Sequence, residues 1–230
     1  MAGAAVPPSW ERRLRRLLRP PTTGDAEPLR RAAASRFTAA AVLGGACYGL
    51  AMGGFGGWAV DRWPQLFYSA VKVPILLLVT GLLTLPGWFV VQSLLGLRDD
   101  TAAALRAVLG TQVVVAIVLA SLAPLTAVLN TAATYDAALF WNLACFAVAT
   151  LAGQFRLRRA YQPLIAKNPM HRRVLLTWLG VYAFTGIQMA WTLRPFVGAP
   201  GVATRFLRPD AWGNAYVEIW ELLRRFLFAW

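Results

Sequence analysis

Acidic residues and histidine are scarce in this sequence, and those present avoid its apolar stretches. Ten Asp and Glu and one His stand against 23 Lys and Arg. The acids are Glu11, Asp25, Glu27, Asp61, Asp99, Asp100, Asp136, Asp210, Glu218 and Glu221, and the histidine is His171. None falls mid-way along an apolar run, so no carboxylate pair is placed for acid–base work at membrane depth. No His, Cys, Asp and Glu share metal-ligand spacing, no Ser or Cys is accompanied by a positioned histidine, and no GxxxxGK[ST] loop occurs. These absences argue against an enzyme, a proton-coupled pump, a metal centre and a cofactor. The two cysteines, Cys47 and Cys145, lie in apolar runs and read as reduced packing residues. The first 36 residues have no leading apolar core, so no cleavable signal peptide is expected.

Charge is also sparse overall. Only 14% of the 230 residues are charged while 58% are hydrophobic, against about 25% charged in soluble domains, which puts the chain in a membrane class. The net charge of +13 would suit nucleic acid were it gathered in one domain. Instead the cations flank apolar runs, which fits anionic lipid headgroups and topology, with no nucleic-acid partner.

Five apolar runs are long enough to cross a bilayer: Phe37 to Val60, Val73 to Leu97, Leu105 to Leu129, Ala137 to Phe155 and Val174 to Leu193. The fold class expected is all-α, an integral membrane bundle of five transmembrane helices with amphipathic helices at both termini. Residues 1–36 form a basic leader, 37–193 the transmembrane domain, and 194–230 a Pro/Gly-rich segment ending in an interfacial helix. Pro86 and Pro124 predict kinks within their spans. Arg156 to Arg173 reads as the most basic connection. Sixteen Lys and Arg fall on the side of the leader and seven on the other. That excess predicts a cytoplasmic N-terminus and an external C-terminus.

The first run is organised by glycine. Gly45, Gly49, Gly53 and Gly57 recur four apart, so on a helix they form one stripe bare of side chains. Each would cost roughly 1 kcal/mol against alanine in a soluble helix, whereas in lipid such a stripe lets another backbone approach closely. In the leader, Trp10, Leu14, Leu17 and Leu18 share one helical face opposite Arg12, Arg13, Arg15 and Arg16. That pattern is either a membrane-surface helix or a basic tail that sets topology. Trp220 and Trp230 close an apolar stripe at the other end and complete the candidate membrane-surface anchors.

Uncharged polar residues enter the spans. Gln112, Asn142 and Gln188 form a candidate polar cluster, serving either interhelical hydrogen bonds or a solute path. Trp191 and Arg194 lie one turn apart at an expected interface, where a cation–π contact could anchor the chain or meet an anionic headgroup.

Several pieces carry a resemblance: Cys47-Tyr48-Gly49 with Met52-Gly53, Lys72-Val73-Pro74 leading to Thr84-Leu85-Pro86, Ser121-Leu122-Ala123-Pro124, Tyr135 with Asn142, and Gln188 through Gly198. In these the chain resembles an uncharacterised family of bacterial polytopic inner-membrane proteins. Its architecture, five spans behind a cytosolic leader, looks like that of Yip1-domain proteins, which are non-enzymatic trafficking or scaffold factors. Together these features predict a non-catalytic membrane scaffold or subunit, packing through the glycine stripe, with anionic lipids and other membrane protein subunits as partners. The alternative is a channel or facilitator for a small solute or lipid. A partner-dependent scaffold and a partner-free conduit are separated by co-purification and by reconstituted transport.

Overall fold

A computed structural model describes residues 23–57, 62–199, 201–209, 211 and 213–217. The candidate anchors Trp10, Arg12, Arg13, Arg15, Arg16, Trp220 and Trp230, with the leader's amphipathic helix and the part of the C-terminal one beyond Val217, lie outside the described residues. The chain divides between Arg36 and Phe37 into two units, and the following concerns the second.

Five helices are described: α1 Thr23–Gly53, α2 Trp63–Leu94, α3 Thr101–Ala132, α4 Tyr135–Lys167 and α5 Met170–Thr192, with a single 3-10 turn at Arg98–Asp100. Four of these segments are long and apolar enough to cross a membrane: Trp63–Leu94, Arg98–Ala132, Tyr135–Lys167 and Met170–Thr192. The chain is thus a multi-pass, all-helical membrane protein among its described residues. The glycine-bearing helix ends at Gly53, short of Val60 where the expected run ends. The reason is local: Gly54 donates back to Leu50 O, and Gly56 and Gly57 adopt positive φ of 79° and 111°. Glycine tolerates that left-handed backbone, so the same residue type that stripes the helix also ends it.

Two other boundaries move outward from the apolar runs. α2 begins at Trp63 instead of Val73, with Pro64 in its first turn, where a missing N–H costs nothing. It continues unbroken past Pro74 and Pro86. α4 runs to Lys167, so the basic stretch from Arg156 is helix, and the expected loop shrinks to Asn168 and Pro169. Hydropathy marks where lipid ends, and a helix can continue into headgroups beyond that depth.

α2 packs along α5 and α3 along α4. Looser contacts of α2 with α3 and of α4 with α5 close a ring. The close pair is built from small residues. Ala138, Asn142, Cys145, Ala149, Gly153 and Leu157 are the buried face of α4, spaced three and four apart as one side of a helix requires. A Cβ on Gly153 would come within 2.8 Å of Val115, so the two helices meet over a gap that only glycine leaves. One apolar core joins Tyr48, Met52, Val73, Leu119 and Cys145. A second, towards the α4–α5 connection, joins Trp88, Val108, Tyr161, Val174 and Trp178. A third or less of each spanning window is buried within the chain, which leaves broad apolar faces for lipid or for other helices.

Candidate functional site

The glycine stripe lies on the first half of α2. A Cβ on Gly45 would touch Pro74 at 3.1 Å, one on Gly49 would land on the Ser69 carbonyl, and one on Gly53 would meet Gln65 O at 2.9 Å. Gly44 faces Ala116 of α3 in the same way. Gly57 does not belong to this set, since it follows the helix and its added Cβ would meet nothing. The stripe therefore seats the chain's own second helix.

The structure does not gather Gln112, Asn142 and Gln188 into one cluster. Gln112 exchanges hydrogen bonds with Tyr182 OH of α5, Nε2 donating at 2.8 Å. Asn142 Oδ1 accepts from Tyr48 OH at 2.7 Å, and its Nδ2 donates to Ala138 O. Gln188 clamps the backbone beyond α5, Nε2 donating to Gly213 O and Oε1 accepting from Ala215 N. Each is thus paired with a different neighbour. Trp88 Nε1 to Tyr161 OH, Trp141 Nε1 to Thr126 Oγ1 and Asn130 Nδ2 to Ala51 O continue the pattern. Such pairs contribute about 0.6 kcal/mol each, and up to about 1.7, because the unfolded chain in lipid also finds partners. Their main effect is to fix register.

Arg194 stacks on Trp191, its guanidinium carbon 3.1 Å from the ring centroid, and its Nε donates to Trp191 O. Both residues line a lateral groove of about 820 Å³. The groove opens where α4 and α5 part, with Leu77 and Thr80 of α2 and Val115 of α3 as its floor. Asn142 reaches its wall, while Gln112 and Gln188 do not. The lining is mostly apolar. Buried Thr80 Oγ1, Gln154 Oε1 and Trp191 Nε1 along it have no hydrogen-bond partner, the mix of greasy wall and sparse polar atoms expected of a small-molecule or lipid site.

At the opposite end of α2 from the Trp191 region, Asp100 accepts from Lys167 Nζ at 2.7 Å and lies 3.2 Å from His171 Nε2. His171, which the sequence places in a loop, is fully buried in the first turn of α5, its ring edge-on to Tyr161. Among the described residues no group of three His, Cys, Asp or Glu could hold a metal ion. Cys47 and Cys145 are unpaired, the first exposed and the second buried.

Sequence reasoning missed Tyr48, Tyr182 and Lys72. Lys72 is wholly buried, with Nζ donating to Pro195 O at 2.6 Å and lying 5.1 Å from the Phe206 ring centroid. The available signal was its place among apolar residues ten positions into a helix whose start the hydropathy did not mark. No family model, curated protein or solved structure matches the chain.

Proposed function

We propose that the chain is a non-catalytic subunit or scaffold of a membrane complex, resident in a bacterial inner membrane with its N-terminus cytoplasmic. One observation carries this reading: several polar side chains at depth hold helices to one another, as Tyr48–Asn142 and Gln112–Tyr182 do. Because the glycine stripe is filled by α2, partner contact falls on the open apolar faces, where Phe140 and Phe155 project from α4. The same reading follows from the resemblance to polytopic inner-membrane proteins and from the Yip1-like arrangement of spans. Anionic headgroups and other membrane subunits are its partners, and no cofactor is invoked.

The lateral groove favours a second reading, a facilitator that admits a lipid between α4 and α5. Its unpartnered Thr80, Gln154 and Trp191 atoms would meet the polar end of such a ligand. One experiment separates the two: purification from native membranes in mild detergent with identification of what accompanies the chain, then reconstitution alone. A stoichiometric membrane-protein companion, with no lipid or solute movement by the isolated chain, is expected. A chain that travels alone and exchanges labelled lipid between leaflets of vesicles overturns the subunit reading in favour of the second.

A further inference from the structure

Beyond α5 the chain folds back over the start of α2 and leaves an open pocket of about 730 Å³, with Arg205 on its exposed side. Arg62, Arg205 and Arg208 line it together with Gln65, and no acidic residue does among the described residues. Arg62 spends one N–H on Phe55 O. A fourth cation stands behind the wall: Lys72 Nζ donates to the carbonyl of the lining residue Pro195. Arg62 also occupies the N-cap of α2, the positive end of that helix dipole. Like charges gathered around one pocket repel, and an anion among them relieves the cost.

A second observation narrows the ligand. Gln65 is 2% exposed, and its Nε2 donates to Phe196 O and Ser69 Oγ. A carbonyl only accepts, so this contact fixes which end of the amide is nitrogen. Oε1 is then left buried without a partner, on a residue that lines the cavity. An oxygen in that position asks for a hydrogen-bond donor from whatever fills the space.

We propose that this cavity binds a phosphate-bearing anion that also carries a hydroxyl group, with Arg62, Arg205 and Arg208 meeting the phosphate oxygens and Gln65 Oε1 accepting from the hydroxyl. Guanidinium forks match phosphate oxygens in pairs, which suits three arginines better than a single carboxylate would. Two sources carry this chemistry: the headgroup of an anionic glycerolipid at the membrane edge, and free hydrogen phosphate or glycerol 3-phosphate. The site stands whether the chain acts as subunit or facilitator.

The test uses the full chain. In neutral detergent it is titrated with inorganic phosphate and glycerol 3-phosphate by calorimetry. In nanodiscs of equal phosphatidylglycerol and phosphatidylcholine, retained lipid is counted by native mass spectrometry. Saturable retention of phosphatidylglycerol without phosphate binding assigns the lipid source, and binding of the free anions assigns the soluble one; either supports the site. Arg205→Gln and Arg208→Gln, neither of which removes a hydrogen bond seen in the fold, should each weaken binding about tenfold. The charge-matched control Arg158→Gln, at an exposed position of α4, should leave it unchanged. Three results overturn the proposal. One is no retention of either anion, another is equal loss in the control, and the third is binding that emerges only with Asp61→Asn or Asp210→Asn, which would mean that the chain neutralises its own arginines.

Discussion

Gly49 and Gly180 are both helical glycines in apolar surroundings, and nothing in their sequence context tells them apart. Their neighbours do. A Cβ on Gly49 collides with the Ser69 carbonyl and with Ala70 Cα, which are backbone and cannot swing aside, while one on Gly180 meets nothing. Gly49→Ala should therefore push α1 off α2 and cost about 1–3 kcal/mol or more. Gly180→Ala should leave stability unchanged or raise it by up to about 1 kcal/mol. Thermal midpoints in detergent check both, and an undisturbed midpoint for Gly49→Ala would remove the close α1–α2 contact from the fold. The fourfold glycine spacing was legible as a packing device at this scale. What it packs against was not, because spacing gives the direction of a face and says nothing of its occupant. Gly57 shows the limit: it keeps the period, yet follows a turn that its neighbour Gly56 helps to make.

Helices as elements were readable, and their ends were not. Apolar length reports the thickness of lipid crossed, so α2 and α4 each extend beyond their apolar run into charged or aromatic sequence. That extension has a consequence at the α4–α5 end. It carries Lys167 out to Asp100, and the tight Asn168–Pro169 connection brings His171 to the same carboxylate. The side chain of Lys167 is 63% exposed whereas that of His171 is fully buried. Solvent screens the first contact, so Lys167→Gln should leave the unfolding midpoint where it is. Asp100→Leu should lower it, because the buried His171 ring loses the one hydrogen-bond partner it has among the described residues. Denaturation of the two variants in the same detergent checks the ranking, and equal midpoints would reduce Asp100 to a surface ornament of the turn.

For the whole molecule, helix alternation puts the α2–α3 and α4–α5 connections at one end and the segment after α5 at the other. Lys72, Gln65 and Ser69 fasten that segment through Pro195 and Phe196 at the start of α2, while Asp100 lies just past the end of the same helix. With Cys47 and Cys145 replaced by alanine, single cysteines introduced at 160–168 and at 200–206 should react with an impermeant maleimide from opposite sides of sealed vesicles. In the proposed orientation, which follows the excess of cations, 160–168 faces the cytoplasm. Labelling of both sets from one side would break the even number of crossings between Lys72 and Arg194 on which this arrangement rests.

Composition and period by themselves determined that this is a helical, membrane-crossing chain with a small-residue seam. Lipid demands apolar length and internally satisfied backbone, and both leave marks on every residue. Only the tertiary structure decided that the seam is filled from within and that Gln112, Asn142 and Gln188 answer to separate partners. It alone brought Arg62, Arg205 and Arg208 around one cavity. Arg62 stands more than 140 positions before Arg205 and Arg208 along the chain, so their meeting depends on how the segment after α5 folds back.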